Sequence, residues 1–323
     1  MSAVPVLSVD NLAVEFRTRG GVVKALEQVA FDIAKGEMVA IVGESGSGKS
    51  VTAYTIMGIL DPAGRVTGGA ATFGGLDLLN AKEEALQEIR GREMSMIFQN
   101  PRVALNPIRR VGDQIADVLL QHGGVTRRDA AKRAIEMLAR VRIPDPERRA
   151  KAYPFELSGG MCQRIMIAIA LSCAPKLLIA DEPTTGLDVT TQAAIMDLIA
   201  ELGTAQGMAT LLITHDLGMA AEYCDRIVVM HAGHIVESAP TAELFAHPRH
   251  PYTARLIAAT PRPAASLSGL ASIPGNLPDL RRPDIPACRY EARCERRQDR
   301  CSQALPRVLG DEPGSLVACW NPL

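Results

Sequence analysis

The sequence predicts an α/β fold, with an antiparallel β subdomain at the start, a helical insertion in the middle and a cysteine-containing tail domain at the end. Three observations lead there. Four short, β-rich apolar runs, Met38 to Val42, Met94 to Phe98, Leu177 to Ala180 and Thr210 to Thr214, recur at wide spacing with helical patterns between most of them, as the buried strands of a mostly parallel sheet do. The loop Gly43-Glu44-Ser45-Gly46-Ser47-Gly48-Lys49-Ser50 joins the first of those runs to a helical pattern. Cys288, Cys294, Cys301 and Cys319 crowd into the last stretch of a 323-residue chain that has seven cysteines in all.

Taken in chain order, Val6 to Phe16 and Val22 to Ile33 alternate apolar and polar positions on either side of Arg19-Gly20-Gly21, which predicts an antiparallel hairpin. The phosphate-loop-like segment and its helix follow. Between Pro107 and Ala152 the pattern is helical, including the Ala- and Arg-rich Thr126 to Val141. No strand is apparent there, so it reads as an insertion, a helical subdomain spanning roughly residues 100–160. Arg226 to Ala239 reads as strand, turn at His231-Ala232-Gly233-His234, strand, and short helices are expected near Thr241 and Tyr252. Pro261 to Pro286 holds six prolines, too many for regular secondary structure, and reads as an extended connector to a separate tail. The expected division is a domain over residues 1–260 and a tail over residues 261–323. There is no internal repeat.

Composition excludes several classes. A net charge of −1 with 22% charged residues gives no general electrostatic grip on nucleic acid or anionic lipid. One Trp, five Tyr and six Phe are too few for rows of base-stacking aromatics. The apolar stretch Ile165 to Pro175 is closed by Arg164 and Lys176, far short of the roughly 20 residues that span a bilayer. Met1 to Phe16 carries no basic segment followed by an apolar one, so a cytoplasmic protein with reduced thiols is expected.

The chemistry is concentrated in a few motifs. Glycines in Gly43 to Ser50 let backbone amides turn inward around phosphate oxygens at the positive end of the next helix. Lys49 would reach the β and γ phosphates, and Ser50 would supply a magnesium ligand. Leu177 to Ala180 ends in Asp181-Glu182, where a parallel sheet presents its C-terminal edge to a ligand. Asp181 would hold magnesium, and Glu182 would orient and deprotonate an attacking water. Alone, an acid-tipped strand is weak evidence; paired with a phosphate loop it is strong. Ser158-Gly159-Gly160, just before a helical run, offers a second anion site, and a second γ-phosphate site on a chain with one phosphate loop implies a second subunit.

Phosphate loop, Gln99 at a strand end, Leu157 to Gln163, the acidic strand, Thr185-Gly186-Leu187-Asp188 and His215 stand in an order that resembles the ATP-binding cassette (ABC) family. The resemblance implies an ABC-type P-loop NTPase that hydrolyses ATP with Mg2+ as a head-to-tail dimer of cassettes. Each site would combine Gly43, Glu44, Ser45, Gly46, Ser47, Gly48, Lys49, Ser50, Gln99, Asp181, Glu182 and His215 of one subunit with Ser158, Gly159 and Gly160 of the other. Phe16 would stack on adenine. Gln99 would contact magnesium and sense the γ-phosphate, while His215 would contact that phosphate and help hold the water. Met161 stands where the family commonly has glutamine.

Ala104-Leu105-Asn106-Pro107, Ala180 to Thr190 and His247 to Thr253 narrow the resemblance to the ATP-binding subunits of bacterial dipeptide and oligopeptide importers, over essentially the whole chain. That implies a paralogous second cassette, two membrane permeases and an extracytoplasmic peptide-binding protein. It also implies a peripheral place on the cytoplasmic face of the inner membrane and no nucleic-acid partner. A cassette ATPase acting on nucleic acid or ribosomes is the alternative, but that class carries two cassettes or a long insertion.

The tail cysteines are separated by 5, 6 and 17 residues. Four thiolates can hold zinc or an iron-sulfur cluster, and these gaps match neither common zinc modules nor ferredoxins. Spacing leaves the choice open. The importer resemblance implies a 4Fe-4S cluster on Cys288, Cys294, Cys301 and Cys319, stabilising a tail with little core of its own. Seven arginines against four acids between Arg281 and Arg300 would compensate an anionic cluster or contact a partner subunit, in preference to binding nucleic acid. A redox or iron sensor is a third reading that rests on the tail alone.

Overall fold

The computed structural model describes residues 4–260, 272–306, 308–309 and 315–323. It forms two compact units, Met1–Asn80 with Leu212–Leu323, and Ala81–Leu211. The helical insertion falls in the second.

In the first unit the hairpin is formed by strands Leu7–Thr18 and Gly21–Ile33, paired antiparallel from Leu7↔Ile33 to Thr18↔Gly21. Leu7, Val9, Leu12 and Val14 turn inward and are buried. The other side of Leu7–Thr18 pairs with Gly64–Phe73, a strand the sequence analysis did not anticipate. Its glycines and alanines give no alternation to read, and Gly in a strand marks a bulge or a close approach. Both occur here: Gly69 has φ +93, and a Cβ on it would lie 2.5 Å from the Asn11 carbonyl oxygen, opposite a register shift between Asp10 and Ala13.

The same unit contains Met38–Val42, buried at every position and parallel to Arg226–His231. Arg226–His231 turns back antiparallel into His234–Pro240. Ala232 at φ 48 and Gly233 at φ 86 make this the two-residue left-handed turn favoured by strand twist. The helices expected near Thr241 and Tyr252 are Thr241–Ala246 and Pro251–Ala258.

The tail is not separate. Leu316–Val317 adds antiparallel to His234–Pro240 through Glu237↔Val317, and Val308–Leu309 pairs with it in turn. A short strand satisfies its backbone groups most readily on an existing sheet edge, and the tail uses one. Of the proline-rich connector, residues 261–271 lie outside the described residues, and residues 272–286 contain no helix or strand.

In the second unit Met94–Ile97 and Leu177–Asp181 are parallel neighbours, every residue buried. The insertion consists of helices Val111–His122, Arg127–Arg140 and Pro146–Arg149, without a strand. Thr126 caps the second of these by accepting the Asp129 amide, an arrangement that contributes about 1 kcal/mol to such a helix. Helices Glu83–Ile89, Pro101–Ala104, Gly159–Leu171 and Val189–Gln206 also belong to the unit. Among the described residues no helix is long and apolar enough to cross a membrane.

Candidate functional site

In the first unit, Met38–Val42 delivers the chain into the loop 43–50. Gly43, Gly46 and Gly48 have φ of 152, 81 and 105, values that side chains rarely allow. Space forbids one as well: a Cβ on Gly43 would fall 2.1 Å from the Met230 carbonyl oxygen, and one on Gly48 2.7 Å from Leu26 Cδ2. Lys49 opens helix Lys49–Ile56 and is 5% exposed. Its Nζ folds back to donate to the carbonyls of Gly43 at 2.9 Å and Glu44 at 3.0 Å. Ser50 is in the first turn of that helix. A cation and a run of amides converge at a helix N-terminus, which suits a phosphate.

Glu44 is held from the C-terminal end of the chain. Its amide donates to the Tyr252 hydroxyl at 3.1 Å. Its carboxylate accepts both terminal nitrogens of Arg293, at 2.8 and 2.9 Å. Arg293 is almost wholly buried and also reaches the Pro274 carbonyl and His231 Nε2. Burial first, then the Arg293 charge, holds the His231 pKa down to about 3, so the ring is neutral and its Nε2 accepts. Pro251 opens helix Pro251–Ala258, with His250 as its cap. The pairing of a tail arginine with the loop is not legible in the sequence, because nothing in a contact spanning 249 residues is periodic or local.

In the second unit, Asp181 closes the buried strand at 1% exposure. Glu182 follows with φ 46, a costly conformation for a residue with a side chain. Its Oε2 accepts from Gln99 Nε2 at 2.7 Å and from the Thr185 hydroxyl at 2.8 Å. Ser158 caps Gly159–Leu171, accepting the Met161 amide at 3.3 Å. A Cβ on Gly159 would meet nothing within 4 Å. About one turn on, buried Gln163 donates to the Pro183 carbonyl, tying this helix to the acidic strand end. Asp188 caps Val189–Gln206 through the Thr191 amide.

Structure thus brings Gln99 onto Glu182, and Lys49 onto its own loop. His215 is exposed immediately after Ala209–Thr214, in the first unit. Phe16 is half-buried, facing Gly64 across the strand pair; a Cβ on Gly64 would come within 2.8 Å of its ring.

All seven cysteines are free thiols. Cys288, Cys294, Cys301 and Cys319 line one small cavity with Tyr290 and Trp320. Burial pushes the Cys288 thiol up to about 12, and the other three thiols add to the shift. The expected cluster geometry is nevertheless not in place: among the described residues no group of three or more His, Cys, Asp or Glu is arranged to hold a metal ion. Cys301 and Cys319 accept the Gln298 and Asn321 amides, each at 3.4 Å.

The sequence matches two families: ABC transporter over residues 26–185, and oligopeptide/dipeptide transporter, C-terminal region, over residues 236–301. It is 46% identical to the oligopeptide transport ATP-binding protein OppD of Salmonella typhimurium, over 98% of this chain and 94% of that protein. Identity is also 46% to the dipeptide transport ATP-binding protein DppD of Bacillus subtilis, with the same coverage. Among solved structures it is similar to the ATP-binding cassette MJ0796, in a dimeric post-hydrolysis state bound to ADP and Pi. That match has TM-score 0.66 and 28% identity over 73% of this chain and 98% of that one. With its phosphate loop, its acidic strand end and a match that runs through the tail, this chain belongs to the family of ATP-binding ATPase subunits of peptide ABC transporters.

Proposed function

We propose that this chain powers the import of dipeptides or oligopeptides by hydrolysing ATP at the cytoplasmic face of the inner membrane. The observation that carries the hydrolytic reading is Glu182, held in a left-handed backbone conformation at the end of a buried strand with Gln99 on its carboxylate. In this reading the amides of Gly46 to Ser50 and the ammonium of Lys49 take the phosphates of ATP, and Phe16 takes the adenine. Lys49 exchanges two loop carbonyls for phosphate oxygens. Ser50, Gln99 and Asp181 would supply the hard oxygens that magnesium prefers, and the ion would neutralise charge on the β and γ phosphates. Glu182 accepts the proton of the attacking water while Gln99 and Thr185 fix the carboxylate that receives it, and His215 holds the water against the γ-phosphate.

Ser158, Gly159 and Gly160 serve the site of a second cassette, a paralogue of this chain, in a head-to-tail pair; the dimeric state described for MJ0796 supports pairing. The pair works with two permeases and an extracytoplasmic peptide-binding protein. We assign Cys288, Cys294, Cys301 and Cys319 to a 4Fe-4S cluster, with zinc as the alternative. The support is four thiols around one cavity, backbone amides aimed at two of the sulfurs, and a surplus of arginine to balance anionic ligands.

The test is tag-free anaerobic purification from membranes, with identification of co-purifying chains, iron, zinc and sulfide analysis, and peptide uptake in vesicles. Two permeases, a second cassette, ATP-dependent peptide uptake and about four irons per chain are expected. Recovery with ribosomes or DNA and without permeases overturns the transport reading.

A further inference from the structure

Two buried arginines of the cysteine segment, each next to a cysteine, pack toward the phosphate loop: Arg293 contacts it directly, and Arg289 contacts the Ala232-Gly233 turn beside it. Arg293, preceding Cys294, grips the Glu44 carboxylate with both terminal nitrogens, at 2.8 and 2.9 Å. Arg289, following Cys288, reaches the carbonyls of Ala232 and Lys24 and the carboxylate of Glu27. It packs so closely on the Ala232-Gly233 turn that a Cβ on Gly233 would lie 2.7 Å from its guanidinium. Gly233 in turn donates its amide to the Ser47 carbonyl at 2.8 Å. Both arginine side chains are at most 3% exposed.

We propose that Arg293 is a positioning residue for the nucleotide, through which the cysteine tail sets the shape of the phosphate loop. Glu44 is the second residue of that loop, and its amide is already committed to Tyr252. Fixing its carboxylate as well leaves residue 44 no rotational freedom. The carbonyls of residues 43 and 44 that hold Lys49 are thereby oriented before ATP arrives. His231 acts as the backstop: it accepts from Arg293 at 3.2 Å and is wedged between the rings of Tyr252 and Tyr290 at 4.6 and 5.2 Å. A buried bidentate arginine pair imposes one geometry on both partners. If the loop is preordered in this way, ATP spends less of its binding energy on ordering it.

A consequence rests on the reading of the cysteines as metal ligands. Whatever binds the sulfurs of Cys288 and Cys294 also fixes the backbone of Arg289 and Arg293. Metal in the tail and nucleotide in the loop are then coupled, each raising affinity for the other by the same factor.

The test begins with Arg293→Gln, Glu44→Gln and the double variant in the assembled complex. Binding of trinitrophenyl-ATP and steady-state hydrolysis are measured for each. Either single change is expected to weaken nucleotide binding and raise KM by about tenfold, with kcat at saturating ATP changed less than about twofold, because the pair acts on loop order rather than on the reacting atoms. The double variant is expected to be no worse than the singles. Amide exchange in residues 43–48 is expected to accelerate more than that in the buried strand Met38–Val42, while leaving one buried partner of the pair uncompensated also lowers the melting temperature. Unchanged nucleotide affinity in Arg293→Gln, or fully additive losses, overturns the proposal. Should Arg293→Gln fail to fold, Arg293→Lys, which keeps charge and loses the fork, is expected to give an intermediate affinity; a wild-type value overturns it.

Coupling is tested separately, by measuring trinitrophenyl-ATP affinity of the wild type before and after anaerobic chelation of iron and zinc. A fall on chelation supports it, and equal affinities overturn it. Absence of both metals from the purified complex removes the cysteine reading and the coupling together, while the Arg293–Glu44 cycle is decided on its own result.

Discussion

Gln99 donates its side-chain amide to the Glu182 carboxylate at 2.7 Å, joining the ends of two neighbouring parallel strands across 83 residues of sequence. The bond matters because Glu182 sits at φ 46, a strained conformation that persists only when its surroundings determine it. Gln99 and the Thr185 hydroxyl do so from two sides.

Glu182→Gln is therefore expected to keep its place, since an amide oxygen accepts the same two hydrogen bonds, but to lose the ability to take a proton. Hydrolysis should fall by at least about a hundredfold, the usual contribution of a positioned base, while ATP binding and cassette pairing survive. Single-turnover hydrolysis and size-exclusion chromatography with ATP check this; substantial remaining turnover would place the base elsewhere.

Lys49→Ala should act on binding instead. It removes the only ammonium in the loop and its two carbonyl contacts. A charge-assisted hydrogen bond contributes about 1.5–3 kcal/mol, which is a loss of about 10- to 100-fold in nucleotide affinity. Equilibrium binding of a fluorescent ATP analogue measures it, and an affinity within about threefold of wild type would exclude the role.

The parallel strands, the hairpins, the helical insertion and the phosphate loop were legible in the sequence because their signals are local. Met38–Val42 is an unbroken apolar run, Thr126 sits where a cap belongs, and Gly48-Lys49-Ser50 reads as the entry to a helix. Gly64–Phe73 was hidden by its own composition, since a strand that uses glycine to pass Asn11 closely cannot also alternate. The tail was misread as separate for a different reason. Its proline-rich connector is visible in the sequence, whereas the pairing of Val317 with Glu237 and of Arg293 with Glu44 depends on where that connector leads. The roles of Tyr252 and Arg293 are non-local in the same way: a tyrosine in a helix and an arginine among arginines become site residues only when the chain folds back.

Cys301→Ser is expected to lower the iron content of the complex to less than about half and to bleach any visible cluster absorption, because loss of one thiolate opens the ligand set. Cys173→Ser, at a cysteine that does not line the cavity, is the control and should leave iron unchanged. Elemental analysis with absorption spectra decides; full iron in Cys301→Ser would strike that residue from the ligands.

Stability should fall with acid before most carboxylates titrate, and two buried histidines set the window. His250 is buried, and its Nδ1 accepts the Tyr252 amide at 3.0 Å, so its capping role requires the unprotonated ring. Burial holds its pKa down to about 3; burial and then the Arg293 charge do the same for His231, also to about 3. In the unfolded chain both titrate near about 6.5. Between those values the unfolded state binds protons that the folded state refuses, so stability is full above about pH 6.5 and is lost as pH falls toward 3. The loss amounts to about 2 kcal/mol for each ring by pH 5. Denaturant melts at pH 7.5, 6.0 and 5.0 should show it. His250→Asn, which retains a capping acceptor and cannot charge, should flatten the slope between pH 6.5 and 5 by about half. An unchanged slope in that variant would mean the proton is taken up elsewhere.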